Sequence, residues 1–562
     1  MYDLLIENAR IVDGTGAPAY TGRVAARDGR IVALGQVPAG EAAERIDARG
    51  QVVAPGFVDP HTHYDAQIAW DALLTPSAEH GVTTAVMGNC GVGAAPVRAD
   101  MREFLMGDLV NVEGIPLDVM RAGIDWQWEH FGEYMDALDR RGLGINVAPL
   151  VAMTPLRHYA MGDASLERAA NPDEIASMTR AFAGAMEAGA FGYSTTREGV
   201  HVGYMGKPVA CRNASVDEHR ALCGVLRGQK RGNVELTLKL GGVVSEQEHD
   251  FLEMLVREST RPVTWLAVVN AAEQPHSYEE RMAAVADITG WDMAVPQTTC
   301  RPLRFQLNLA NPYILGVFPS WQPVMRLSRD EKLATYADPR FRQSFRDDLK
   351  NIPAFGRDMW SRFTVLDGVS DQAQGIAKSG RSLRQLADAS GRDPMDLLVE
   401  IAVEDELRTT FDMVALNYDA ADTTPLMQDD RLLVGLSDAG AHLDMLCDAG
   451  YSTHLLQRWV RETGALTLEQ GVRKLTSIPA QFFGIDRGVL AVGKAADLVI
   501  FDPDTVACGD KEWAHDLPGG GRRFVTRSIG VRATIVAGRV LFENGEYRAD
   551  VRPGRMLRSY DA

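Results

Sequence analysis

The chain has 562 residues, 46% of them hydrophobic and 24% charged, with a formal net charge of −18 at pH 7. That length exceeds one ordinary hydrophobic core, so a large domain with a smaller companion is expected. The acidic balance argues against a nucleic-acid partner, which would need a basic face, and no apolar run of about 18 residues offers a membrane span.

The N-terminus, Met1-Tyr2-Asp3-Leu4-Leu5-Ile6, has neither the basic start nor the apolar core of a signal peptide. Six cysteines without paired spacing do not read as a disulfide framework. A cytoplasmic location is expected. Residues 1–54 alternate short β-rich runs with turns, as in Arg10-Ile11-Val12-Asp13-Gly14. Residues 488–562 have the same texture, in Ala496–Asp502 and Ala533–Val540. The two ends are expected to pair as one small β-domain.

Between them, residues 55–487 alternate strand-like runs with helical stretches, the pattern of a parallel α/β domain. The runs are Val52–Val58, Thr83–Met87, Ile145–Val151, Ala190–Ser194, Asn233–Leu240, Pro262–Val269, Met293–Gln297 and Leu432–Leu436. Helix-like segments such as Glu174–Ala188 and Glu246–Glu258 separate them. Eight strand–helix units predict a (β/α)8 TIM-like barrel, in which chemistry sits at the carboxyl ends of the strands. The long gaps near 100–143 and 305–425 have room for lids or substrate-binding insertions.

The first run ends in Asp59-Pro60-His61-Thr62-His63. Side chains at i and i+2 of a strand share a face, so His61 and His63 converge at its carboxyl end. Two imidazoles converging there can share one divalent ion. The second run ends in Gly88-Asn89-Cys90-Gly91, and the eighth in Ser437-Asp438-Ala439-Gly440-Ala441-His442.

Pro55–His63, Gly81–Thr84 leading into Gly88–Gly91, Gly189–Thr195, Ser437-Asp438, Leu475–Ala480 and Gly493–Val499 follow one another in a recognisable order. In this the chain resembles the metal-dependent amidohydrolase superfamily, specifically its N-acyl-D-amino-acid deacylase (D-aminoacylase) branch, nearly end to end. The resemblance implies a β-sandwich domain built from residues 1–54 and 488–562, and a barrel over 55–487. It implies hydrolysis of an amide-type C–N bond in a small molecule by metal-activated water, and leaves room for a homo-oligomer. His61 and His63 are then neutral imidazole ligands. Cys90 supplies a thiolate, where many related enzymes have a carboxylated lysine, and a thiolate favours zinc. Asp438 binds the metal on one side, accepts a proton from the attacking water and passes it to the leaving nitrogen.

The departures from that family shape the expected site. Runs five and six lack the histidines that end the corresponding deacylase strands. Val151-Ala152-Met153-Thr154-Pro155 lacks the one usual after strand three. Ala441–Asp448 stands where deacylases carry a carboxylate-binding arginine. One zinc ion rather than two is expected, on an atypical site. Cyclic amides or imides, esters or lactones are alternative substrates, and a catalytically inactive scaffold is the alternative to an enzyme. Glu235 and Lys239, charged residues four apart on one face of an apolar run, are expected to reach the site or pair with each other. His442, Tyr193, and the loop residues Arg197, His201 and Tyr204 complete the substrate-binding candidates.

Overall fold

The computed structural model describes residues 1–38, 40–239, 242–270, 277–312, 315–316, 318–351 and 359–560. Leu240, which closes the expected fifth run, lies outside the described residues. Eight parallel strands organise the centre. They are β1 (Phe57–Asp59), β2 (Val82–Met87), β3 (Asn146–Pro149, resuming after Leu150 as Val151–Ala152), β4 (Gly192–Thr196), β5 (Asn233–Thr237), β6 (Val263–Leu266), β7 (Ala294–Thr298) and β8 (Leu433–Val434). Each pairs in parallel with the next, from β1 to β8. The seam between β8 and β1 is a single parallel bridge, Thr62 to Ala439, where His63 N–H donates to Ala439 O at 2.8 Å. The fold is thus α/β and contains a TIM-type barrel, with a seam that is not a continuous ladder.

Outer helices start where the sequence caps them. Asn171 with Glu174, Ser215 with Glu218, and Ser245 with Glu248 form capping boxes for Pro172–Glu187, Val216–Gln229 and Glu246–Ser259. In each, the cap side chain and the acid three residues on satisfy one another's backbone N–H groups.

The run expected as one strand, Val52–Val58, serves two sheets. Val52–Pro55 pairs with Tyr2–Ile11 and Leu498–Phe501, whereas Phe57–Asp59 pairs with β2. Gly56 is the joint, because a side chain there would collide with Thr83. Both halves are buried, so an unbroken apolar run gives no sign of the change of partner.

Strands from both chain ends join Val52–Pro55 in one nine-stranded sheet. Its two faces carry separate cores, one with Leu4, Ile6, Val24 and Ile535, the other with Leu5, Ala25 and Val37. The alternation follows the two-residue repeat of a strand. A hairpin, Ala507–Leu517 with Gly521–Ile529, forms a two-stranded sheet of its own among the described residues and leans on the barrel, Phe524 N–H donating to Leu443 O at 2.8 Å. The chain then returns beneath the barrel, where Leu557 N–H donates to Val147 O at 2.8 Å.

Two insertions stand at the carboxyl ends of the strands. Between β2 and β3 run the helices Arg102–Glu113, Leu117–Gly123 and Phe131–Arg141. Between β7 and β8, Leu303–Leu307, Thr410–Leu416 and Phe363–Asp367 form an antiparallel sheet over a core of its own around Trp321, Tyr336, Phe345 and Phe363. Among the described residues, no helix is long and apolar enough to cross a membrane.

His80 ties the barrel to the C-terminal hairpin. Its Nδ1 faces Thr453 Oγ1 at 2.8 Å and its Nε2 faces Thr526 O at 2.9 Å. Burial, with Arg301 and Arg527 nearby, pushes its pKa down to about 4 from 6.5. The unfolded chain takes up this proton near pH 6.5 and the native chain does not. The contribution is therefore complete above that pH and is lost as the pH falls towards 4. It amounts to about 3 kcal/mol over that window. His80→Gln should flatten the pH dependence of the urea midpoint between pH 6.5 and 4. An unchanged slope would refute the assignment.

Candidate metal centre

His61 and His63 follow β1 directly, and both are buried. Cys90 lies in the turn after β2, between Gly88 and Gly91, with a positive φ of 54°. A Cβ at Gly88 would strike Leu150 O, so the turn can press against β3 only without one. The turn is further held by Ser194 on β4, whose hydroxyl donates to Gly88 O and accepts Gly91 N–H. Donor atoms of His61, His63 and Cys90 all lie within 4.8 Å of one another.

Asp438 closes the group from the opposite side of the seam. Its Oδ1 is 3.5 Å from His61 Nε2 and 3.8 Å from His63 Nε2, while Cys90 Sγ is 3.5 Å from His61 Nε2. Thr237 on β5 donates its hydroxyl to Cys90 Sγ at 3.3 Å. Burial holds His61 down at about 3 and His63 well below its usual value. Both are neutral imidazoles, the form that binds metal. Burial pushes the Cys90 thiol well up and, with Asp448 and Asp59, pushes Asp438 up to about 7. Acids stacked this way ionise together only beside a cation, which reverses the local electrostatics. Among the described residues, His61 Nδ1, His63 Nδ1, Glu113 Oε1 and Glu235 Oε1 are buried without hydrogen-bond partners. The donor set of two imidazoles, a thiol and a carboxyl fits zinc.

The structure treats the remaining candidates unequally. Glu235 faces inward on β5 and its Oε2 accepts Cys90 N–H at 2.7 Å. Desolvation raises its carboxyl to about 8. Lys239 does not share that position. β5 ends at Thr237, so the two-residue alternation stops short, and Lys239 is exposed. The expected pairing of the two is replaced by the contact with Cys90. His201 accepts or donates at Thr196 Oγ1, 2.8 Å from its Nδ1. Burial keeps both His201 and His442 neutral, and His442 N–H donates to Glu113 O, whose side chain reaches His63. Tyr204 lies against Phe104, ring centroids 4.8 Å apart. Arg197 is spent on the Phe251 ring, 4.4 Å from its centroid. Tyr193 points away into the helical layer, with its hydroxyl 3.4 Å from His219 Nδ1 and its ring against Phe182.

Sequence reasoning did not single out Glu113, Ser194, Thr237 or Gln297, which stands against His61 from β7. Glu113 is the one with a detectable signal. It is a carboxylate in the last turn of Arg102–Glu113, where the helix dipole favours a cation instead.

The sequence matches the model of the Amidohydrolase family over residues 44–542. N-acyl-D-glutamate deacylase of Alcaligenes xylosoxydans xylosoxydans is 29% identical, over 99% of this chain and 96% of its own. The structure of a D-aminoacylase mutant in complex with copper chloride superposes with a TM-score of 0.66 at 25% identity, covering 99% of this chain and 100% of the other. N-acyl-D-glutamate deacylase from Bordetella bronchiseptica, solved with zinc and a phosphonate inhibitor, gives a TM-score of 0.64 at 26% identity, covering 99% of each chain. A family match along most of the sequence, over a barrel that gathers two imidazoles and a thiol at its strand ends, settles the assignment: this chain belongs to the amidohydrolase family and is a metal-dependent hydrolase of amide-type C–N bonds.

Proposed function

We propose that the reaction is carried by one zinc ion held by His61, His63, Cys90 and Asp438, with Asp438 as general base and then general acid. The observation that supports it is the meeting of three buried donors within 4.8 Å at the ends of β1 and β2. Zinc, when bound, polarises the substrate carbonyl and makes water acidic enough to attack at neutral pH. Asp438 takes the proton of the attacking water and hands it to the leaving nitrogen. Glu235 fixes Cys90 through its main-chain N–H. His201 and His442 flank the centre as neutral groups, pushed down to about 3 and about 4 by burial, and contact substrate.

The substrate is a small amide, and N-acyl-D-amino acids are the class to test first because the deacylase relatives carry that name. The smaller β-sandwich domain expected of residues 1–54 and 488–562 is supported by the pairing of strands from both ends in one sheet, while the 507–529 hairpin and the segment around Leu557 lie on the barrel. Six free cysteines support a reducing, cytoplasmic setting. The test is metal analysis of the purified protein, then hydrolysis assays before chelation, after it, and after zinc is restored. N-acyl-D- and L-amino acids, cyclic amides and matched esters are the substrates. Activity is expected to disappear with the metal and return with zinc. A metal-free protein with undiminished amidase activity would refute the proposal.

A further inference from the structure

One helix of the first insertion reaches into the metal centre, and its position is set by residues that touch no candidate ligand. Asp108 on Arg102–Glu113 accepts Tyr204 N–H at 2.7 Å and faces His158 Nε2 at 2.9 Å. Asn111 Nδ2 donates to Gly203 O at 2.6 Å. The helix is thereby fastened to the loop after β4. It stops at Gly114, with φ at +66°, where a Cβ would rest 3.4 Å from His442 Cα. The end of this helix therefore lies directly on the loop that follows β8.

Glu113, the last residue of the helix, engages the centre with two different groups. Its carboxylate Oε1 is 3.3 Å from His63 Nδ1. Its main-chain carbonyl accepts the N–H of His442. Glu113 Oε1 and His63 Nδ1 are both buried, and among the described residues neither has a hydrogen-bond partner, so their 3.3 Å approach is a close contact one small rotation short of a hydrogen bond. A neutral imidazole that offers Nε2 to a metal carries its proton on Nδ1. A buried N–H of that kind is costly without an acceptor. Here the group that faces it is the carboxyl of Glu113, whose oxygen can accept that N–H whether or not the acid is ionised, at the end of Arg102–Glu113.

We propose that Glu113 is a positioning residue for the metal centre, holding His63 by Nδ1 through its carboxylate and holding the loop after β8 through its main chain. It selects the tautomer of His63 and fixes the ring so that Nε2 faces Asp438. Through His442 N–H it also sets the height of the loop that carries Asp438. The insertion is then a structural part of the metal site. The proposal rests on the reading of His63 as a metal ligand.

The test uses the full-length protein and zinc alone, with affinity measured by competition against a chromophoric chelator and with cobalt substitution read by its visible spectrum. Glu113→Ala should weaken zinc binding by about 10- to 100-fold and shift the cobalt bands, with the thermal melt as a check on folding. Glu113→Gln should restore most of the loss, because its amide oxygen accepts the same N–H. Should Glu113→Ala fail to fold, Glu113→Met, which keeps the length and removes the acceptor, carries the same expectation. In a His63→Ala background, Glu113→Ala should cost nothing further. Wild-type zinc affinity and cobalt spectrum in Glu113→Ala or Glu113→Met, with His63→Ala weakened, would overturn the proposal. So would a Gln variant as damaged as Ala, which would make Glu113 a charged ligand, or a full additional loss in the His63→Ala background. Unchanged zinc affinity in His63→Ala would instead overturn the ligand reading itself, and the positioning role with it.

Discussion

Replacing His61 with alanine should leave a folded protein that neither retains zinc nor hydrolyses an amide. His61 Nε2 is the shared neighbour of the other donors, 3.5 Å from Cys90 Sγ and 3.5 Å from Asp438 Oδ1. Its removal takes away one of the four ligands and leaves Cys90 and Asp438 without the neighbour they share. Both then revert to buried neutral acids, since burial holds the Cys90 thiol and the Asp438 carboxyl up when no cation is near. The expected loss in kcat/KM is about 10⁴-fold, or roughly 5.5 kcal/mol of transition-state stabilisation. Elemental analysis should show less metal in proportion. Glu235→Ala is the informative contrast. Glu235 touches Cys90 only through the backbone N–H, so that variant should keep its metal. If His61→Ala keeps both metal and turnover, the ion is not where these four residues place it.

Part of this architecture is readable from local pattern, and part is not. His61 and His63 are legible because two-residue spacing at the end of an apolar run has one geometric consequence. Cys90 and Asp438 are legible because they end other runs, and a parallel barrel collects strand ends. The same reasoning misplaces Tyr193. The run expected over Ala190–Ser194 is a strand over Gly192–Thr196, in which Tyr193 faces the helices while the hydroxyl of Ser194 reaches the Cys90 turn. Period-two alternation names two faces without saying which one is the lumen. Val52–Val58 fails as a single strand for a related reason, because burial on both faces erases the alternation that would mark a change of sheet. Glu113 is harder still. It reaches His63 from an insertion, and only the packing of Asp108 and Asn111 on the loop after β4 brings it there. Contacts of that sort belong to tertiary structure and leave only the misplaced helix-end carboxylate as a trace in sequence.

Asp438→Asn should separate binding from catalysis. Asp438 has a φ of 45°, a left-handed conformation that asparagine tolerates better than most residues. The substitution therefore preserves the backbone of the loop after β8 and the shape of the side chain. An amide oxygen can still approach His61 and His63, and Cys90 is untouched, so zinc should be retained with weaker affinity. The amide cannot accept the proton of an attacking water or return one to the leaving nitrogen. General acid–base catalysis of this kind is worth about 10² to 10⁴-fold, and because one group serves both transfers, kcat should fall by about 10³-fold or more. KM should move much less, since His201 and His442 remain in place to meet the substrate. A substrate with a good leaving group, such as an activated anilide or ester, should lose less than a simple amide, because it needs less help from an acid at the departing atom. The measurements are zinc stoichiometry, steady-state kinetics on matched amide and ester substrates, and the pH profile of kcat. An Asn variant with near-wild-type kcat and full metal content would move the proton-transfer role to another residue, and His442, four residues along the same loop, would be the next to test.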